Sequence, residues 1–389
     1  MTYVYDAVRT PRGKARADGG LAWASPPELI RQLHDALDRR SDQAAREAQA
    51  LVLGCVGQVG AQGGNIALVS KLYAGLRDDV AAYTLNNYCV SSLSAVGHAV
   101  GLIASGQAPC VLAGGVEMMS RVPFMADRAD WYADQSFPAR ARYIPVALAA
   151  DRLAEDEGVD RDSMDALALR SHQRAQAAEA EAALIRSRIP LVKADDTLAP
   201  STDECVRRET TLASLAALPP AFVDLGRQYE AALEGRRIDH RHTIAHAPPI
   251  CDGASLALIT SDRFGSPRAR IVSFAEMGGD PSASLLAGFG AMNRALDRAG
   301  MTLADIDYIE FMEAFAVTIA KFLRDADVDP ERVNVSGGHL AKGHPMGASG
   351  GILLSTLLDV LEARDATTGL VVASGASGVG AAMIVERMR

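Results

Sequence analysis

The sequence predicts an α/β fold of layered helices and sheet, and three observations carry that expectation. Short apolar runs of strand character alternate with segments of helical periodicity along most of the 389 residues. Gly and Ala are abundant while aromatic residues make up 5%, a composition that lets helices lie close against a sheet. A later segment, Arg268-Ala-Arg-Ile-Val-Ser-Phe, looks like a loose restatement of the opening strand, and both units then present a strand-to-helix turn. The chain therefore reads as two related halves.

The elements follow in order. Residues 49–56 (Gln-Ala-Leu-Val-Leu-Gly-Cys-Val) form a buried strand, 92–105 a helix, and 109–113 a strand ending in Gly114-Gly115. In the second half, 303–309 leads into the strand Asp307-Tyr-Ile-Glu-Phe, and a helix over 313–325 follows directly. An apolar helix spans 350–362, and 369–373 and 380–387 are buried strands. Residues 120–245 differ: rich in Arg, Asp, Glu and Ala, broken at Pro190, Pro200 and Pro219-Pro220, and helical over 161–182. They read as a mostly helical insertion between an N-terminal half (1–119 with 246–265) and a C-terminal half (266–389).

Composition narrows the function. Hydrophobic residues make up 49% and charged residues 22%, as in a globular enzyme. A net charge of -9 disfavours nucleic acid and anionic membrane as partners. No early segment has the pattern of a secretory signal, and the most apolar window, 95–116, is interrupted by Gly, His, Gln and Pro, so no membrane span is expected. The five cysteines (55, 89, 110, 205, 251) are scattered without CxxC spacing. That argues against a disulfide framework and a metal site, and fits a reducing cytoplasm. Cys55 and Cys110 lie in apolar runs as core residues; Cys251 precedes Asp252-Gly-Ala and reads as structural too.

Two segments carry chemistry. Cys89 lies where Ala82-Tyr-Thr-Leu-Asn-Asn-Tyr gives way to the helical pattern Val-Ser-Ser-Leu-Ser-Ala-Val-Gly-His-Ala. A thiol at a helix start meets unpaired N–H groups and the positive dipole end, which favour a nucleophilic thiolate able to hold a thioester. A lone cysteine is more often an inert core residue. The second segment is Asn334-Val-Ser-Gly-Gly-His-Leu-Ala-Lys-Gly-His-Pro-Met-Gly-Ala-Ser-Gly-Gly. Its glycines turn the backbone tightly, and Pro345 holds His344 where an imidazole could serve as a base toward a thiol. A third Gly-rich turn occupies 375–380.

These segments, together with Asp6-Ala-Val-Arg-Thr-Pro-Arg-Gly-Lys, Ala113-Gly-Gly-Val-Glu-Met-Met-Ser-Arg-Val-Pro, Glu209-Thr-Thr-Leu-Ala-Ser-Leu, Met312-Glu-Ala-Phe-Ala and the closing Gly-Ala-Ser-Gly-Val-Gly, resemble the thiolase family nearly end to end. The resemblance implies a five-layered αβαβα architecture with two similar halves, an inserted loop domain, and a homodimer or homotetramer. It implies acyl transfer between coenzyme A thioesters through an acyl-cysteine, with coenzyme A as substrate, no permanently bound cofactor and no metal. Carried over by residue, Cys89 matches the acylated nucleophile and His344 the imidazole that activates it. Gly380 matches the glycine whose amide joins that of Cys89 in an oxyanion hole.

Other positions depart from the family. Ser374 stands where the family has a second cysteine that exchanges a proton with the attacking acyl-CoA, and a hydroxyl is a far weaker acid than a thiol of pKa about 8.5. Met312, before Glu313, replaces the Asn or His that orients a water for the enolate. Pro219 replaces an arginine that helps hold coenzyme A, Pro248 replaces a serine near the pantetheine channel in the altered segment His246-Ala-Pro, and Ser92 replaces a glycine. Three readings follow. In the first, an acyl-CoA acyltransferase keeps the full chemistry with His246, His339 or Glu313, or a water on Ser374, supplying the missing acid or base. In the second, acyl-Cys89 passes its acyl group to water or a heteroatom. In the third, the chain is a catalytically weak homologue that binds or scaffolds a partner.

Overall fold

The computed structural model describes residues 1–134, 136–261 and 266–388. In chain order the elements are β1 (Tyr3–Arg9), the two-residue β2 (Gly13–Lys14), α1 (Pro26–Arg40), β3 (Ala50–Gly54), α2 (Ile66–Tyr73), β4 (Ala81–Leu85), α3 (Ser91–Ala104) and β5 (Cys110–Glu117). The insertion carries α4 (Val146–Asp156), α5 (Arg161–Ala178), α6 (Leu212–Ala216) and α7 (Val223–Gln228). Then come β6 (Cys251–Thr260), β7 (Ala269–Gly278), α8 (Ala287–Ala299), β8 (Tyr308–Phe311), α9 (Ala316–Asp325), α10 (His339–Lys342), α11 (Ser349–Ala363), β9 (Thr368–Gly375) and β10 (Val379–Arg387).

The strands run in the order β4-β3-β5-β6-β1-β7-β10-β9-β8, with β2 paired to β6. The two halves repeat one pattern. β3 lies parallel to β5 as β8 does to β9, β5 antiparallel to β6 as β9 to β10, and β6 antiparallel to β1 as β10 to β7. The half-sheets join where β1 meets β7, at Tyr3 and Val4 against Arg270 and Ala269. The predicted internal repeat is thus present as a topological repeat. The expected boundary between halves at 265/266 falls against residues 262–265, which lie outside the described residues.

Alternation along the strands builds the layers. Leu51 and Leu53 of β3 join the cluster formed with Leu29, Leu33 and Leu37 of α1, whereas Ala50 and Val52 face Leu93 and Val96 of α3. α1 begins at Ser25, whose side chain accepts from the Glu28 N–H at 3.3 Å, and Pro26-Pro27 suit the first turn. α11 packs against α3 and touches strands of both halves, so α3 and α11 form the middle layer. α1 and α2 cover one outer face; α8 and α9 cover the other, where Phe289, Phe311 and Phe322 cluster. The result is five layers, αβαβα. Among the described residues, the segment Met346–Ala363 is long and apolar enough to cross a membrane, but it is 83% buried as this central helix.

The insertion is less helical than its composition predicts. Helix covers α4, α5 and two short segments, and the rest runs as turns pinned by buried polar anchors. Asp151 is one such anchor, accepting the N–H groups of Arg241 and His242 and bonding the rings of His240 and His242. Side-chain anchoring of this kind replaces helical bonds and leaves no periodic trace. The expected helix at 161–182 ends at Ala178.

Candidate active site

The strand-to-helix turns before α3 and α11, the turn after β9 and the insertion enclose one cavity of about 260 Å³. Cys89, His344, Ser374, Ala376 and Glu117 reach its wall, and Met119, Val122, Phe124, Tyr143, Phe222 and Leu285 make most of the remainder apolar.

Cys89 sits on a tight elbow. Tyr88 holds a left-handed φ of 47°, and the Ser91 side chain closes the turn by accepting from Asn87 N–H at 2.8 Å and donating to Tyr88 O at 2.6 Å. One residue, Val90, then separates the thiol from the first helical turn. Sequence suggested a thiolate favoured by the helix start. Instead, burial pushes the Cys89 thiol up to about 12, against the backbone N–H of Ala376 that is directed at the sulfur. Desolvation outweighs the dipole here, so a base must take the proton.

His344 can be that base. It is buried, and burial, helped by the charge on Arg12, pushes its imidazole down to about 3. Its Nδ1 meets Ser349 Oγ at 2.8 Å and its Nε2 has no partner among the described residues. With Nδ1–H donating to Ser349, Nε2 holds a free lone pair at the cavity. The backbone fixes the turn: His344 N–H donates to Pro249 O at 2.8 Å, and Gly343 adopts φ 94°. Met346 brings its Sδ to 3.9 Å from Cys89 Sγ, closing the wall between the two residues.

The pair of amides that converges on the Cys89 sulfur differs from the expectation. Gly380 lies inside β10, paired with Met277 and Ser374, and does not reach the cavity. A Cβ there would fall 2.2–2.4 Å from the Ala287–Gly288 backbone, so its lack of a side chain serves the packing of α8. The amide that joins that of Cys89 belongs to Ala376, in the turn after β9; both N–H groups are directed at the Cys89 sulfur. A Cβ on Gly375 would lie 3.3 Å from Cys89 N, so that glycine permits the approach. The correction runs from a strand residue to a turn four positions earlier.

The remaining predicted residues divide. Ser374 lines the cavity and its Oγ accepts the Gly288 N–H at 3.2 Å. Met312 is buried beneath the cavity wall and its N–H serves Val372 O at 2.8 Å. Glu313 is a structural clamp rather than a spare acid or base: its oxygens accept from Ser171 Oγ (2.8 Å), Asn334 Nδ2 (3.0 Å) and Leu340 N (3.0 Å). His246 is likewise engaged at both nitrogens, with Asp165 Oδ1 at 2.7 Å from Nε2 and the Thr243 N–H at 3.1 Å from Nδ1, and it is sealed from the cavity. His339 stacks edge-on to His344 with ring centroids 5.1 Å apart, behind the wall. Pro248 lines the cavity; Pro219 is exposed and does not. Among the described lining residues there is no lysine or arginine, and Phe124 and Ile250 are exposed on the cavity lining.

Sequence reading missed three participants. Glu117 accepts N–H groups from Val56 (2.8 Å), Gly57 (3.0 Å) and Gly347 (3.2 Å), tying both halves of the site together, and burial raises its pKa. Ser349 and Ala376 are the others. Among the described residues no group of three or more His, Cys, Asp or Glu is arranged to hold a metal.

Known proteins resemble the chain along nearly its whole length. The family model for the thiolase N-terminal domain matches residues 2–263, and that for the thiolase C-terminal domain matches residues 265–387. The chain is 34% identical to a protein of Shewanella frigidimarina named 3-ketoacyl-CoA thiolase, over 99% of each chain. Proteins of the same name from Photorhabdus laumondii and Vibrio cholerae are each 35% identical, over 99% of this chain and 98% of theirs.

Proposed function

Because this chain belongs to the thiolase family and is an acyltransferase, we propose that it takes an acyl group from an acyl-CoA onto Cys89 and passes it on through an altered carbon–carbon half-reaction. His344 Nε2 removes the Cys89 proton as the sulfur attacks the thioester carbonyl. The oxyanion develops against the Cys89 and Ala376 amides, each such donor being worth roughly 3–4 kcal/mol. Collapse expels the coenzyme A thiolate, which recovers the proton from His344. The carrying observation is the convergence of Cys89, His344 and the Ala376 amide on one apolar cavity.

A second reading, transfer to water or a heteroatom, is favoured by Ser374 and Met312. Neither is a base matched to removing a carbon-bound proton, and Glu313 and His246 are committed elsewhere. An oxygen or nitrogen acceptor needs no enolate, and His344 alone could deprotonate it. The test is to incubate the protein with acetyl-CoA and longer acyl-CoAs, measure mass added on Cys89, and assay 3-ketoacyl-CoA formation and thiolysis in parallel. Acylation with either carbon–carbon activity supports thiolase chemistry. Acylation with neither supports the second reading, and no acylation by CoA or carrier-protein thioesters overturns both and leaves a binding role.

We further propose a homodimer, working in a reducing cytoplasm, in keeping with five cysteines that form no disulfide in the resting protein. β4 is an open sheet edge, and beside it Leu68, Val69, Leu72, Tyr73 and Tyr83 are exposed. A second copy pairing along that edge would cover this apolar strip. Light scattering on the eluting protein would test it: a monomer at micromolar concentration would refute the assignment.

A further inference from the structure

Cys205 and Cys251 come from distant parts of the chain and meet directly behind the catalytic histidine. Each thiol shifts the ionisation of the other. Gly343 marks the contact: a Cβ on it would lie 2.8 Å from Cys251 Sγ and 3.2 Å from Cys205 Sγ. The two sulfurs therefore fill the space above the residue that precedes His344. Ile250, next to Cys251, forms a β-bridge with His344, and Pro249 O accepts the His344 N–H.

We propose that Cys205 and Cys251 form an oxidisable dithiol, a modification site through which a peroxide disarms His344. The Cys205 sulfur attacks the peroxide oxygen, giving a sulfenic acid and water; the Cys251 thiol then displaces hydroxide from that sulfur, which leaves as a second water. Two thiols and one hydrogen peroxide become one disulfide and two waters. Two features suit the pair to these roles. The neighbouring Cys251 thiol, with the Arg12 and Lys14 charges, holds Cys205 below the ordinary thiol range despite its burial; burial pushes Cys251 well above it. Cys205 is also 5% exposed, and its neighbours Asp203, Glu204 and Val206 line a surface cavity of about 420 Å³ that offers a small oxidant a route.

The coupling to catalysis is steric. The two sulfurs must close to about 2.05 Å to bond. Asp203 is held by Arg9, and Glu204 by the N–H groups of Lys14 and Gly20, so the Cys205 segment is fastened on one side. Cys251 opens a paired strand on the other. The Gly343–His344 turn packs against both sulfurs and shifts as they close. A displacement near 1 Å of a catalytic group can cost ~100-fold in rate.

The test has two arms. In the first, a Cys89→Ala variant of the full chain is treated with hydrogen peroxide, digested without reductant and mapped by mass spectrometry. The expected product is a Cys205–Cys251 linked peptide pair that dithiothreitol separates. Peroxide that leaves both thiols free, or carries Cys205 to sulfinic acid without linkage, overturns the proposal. In the second arm, which rests on the acyl-Cys89 reading, wild-type enzyme is acylated first to shield Cys89, oxidised, and then assayed for turnover. The expected loss is at least ~10-fold, recovered with dithiothreitol and absent in Cys205→Ser or Cys205→Ala, whichever melts with the parent. Linkage without loss of turnover overturns the control of His344. The peptide map is independent of what the enzyme acylates, so failure of one reading is distinguishable from failure of the other.

Discussion

Replacing Ser349 with alanine isolates the group that selects the tautomer of His344. In the protein the imidazole is buried, Nδ1 meets the Ser349 hydroxyl at 2.8 Å, and Nε2 is left unpaired at the cavity. For Nε2 to accept the Cys89 proton, the ring hydrogen must sit on Nδ1, and Ser349 is its acceptor. Without the hydroxyl, a buried N–H loses its partner at a cost of about 1–3 kcal/mol. The ring avoids that cost by moving its hydrogen to Nε2, where it can no longer act as a base. If the whole cost falls on the acylation step, the rate drops about 5- to 150-fold. Ser349 does not line the cavity, so KM for the acyl donor should stay within about twofold. The assay is the single-turnover rate of mass addition to Cys89, corrected for folded fraction by a thermal melt. A double-mutant cycle with His344→Asn separates tautomer control from general damage: the pair should be no slower than His344→Asn alone. Ser349→Ala acylating within twofold of the parent, or adding its full penalty on top of His344→Asn, would refute the reasoning.

Three further outcomes are expected. With Cys89 pushed up to about 12 and His344 down to about 3, both start neutral across the working range, and lowering the pH through the usual histidine region does not protonate the base. Acylation should therefore be flat from about pH 5 to pH 9, and an inflection near 6.5 would show that the buried-neutral picture is wrong. Gly380→Ala should destabilise the fold by about 1–3 kcal/mol in denaturant titration, because its Cβ meets the α8 backbone at 2.2 Å, while acylation per folded molecule is preserved; a specific acylation defect would return Gly380 to the oxyanion hole. Ser374→Cys puts a thiol on the cavity wall, and a gain of 3-ketoacyl-CoA formation over the parent would identify this position as limiting. No gain with Cys89 still acylating would move the limit to Met312.

What could be read from the chain depended on the range of the interactions involved. β3, β5, β9 and β10 were legible because their apolar runs are local, and their ends shift by only a residue or two, except that β5 runs four residues further, to Glu117. The insertion was not, because Asp151 and Asp165 anchor it through partners 81 to 91 residues away, and such contacts leave no periodicity. At the site, Cys89 and His344 announce themselves by side-chain chemistry on Gly-rich turns. Ala376 acts through its amide, and any residue type able to adopt the turn would supply that group, so its identity carries no signal. Gly380 was the more conspicuous residue and the wrong one.

The same logic bears on the thiol itself. A helix start is visible in sequence and argues for a thiolate; the cavity that desolvates Cys89 is assembled from the insertion, the turn after β9 and the turn before α11, and is visible only once they converge. Desolvation then changes the kind of catalysis. A stable thiolate–imidazolium pair would make the nucleophile ready in advance, whereas a neutral pair makes proton transfer part of the attack and places the burden on the orientation of Nε2. In the proposed reaction, everything that holds His344 in place, Ser349 on Nδ1, Pro249 on its amide and the two sulfurs over Gly343, is thereby part of how fast Cys89 is acylated.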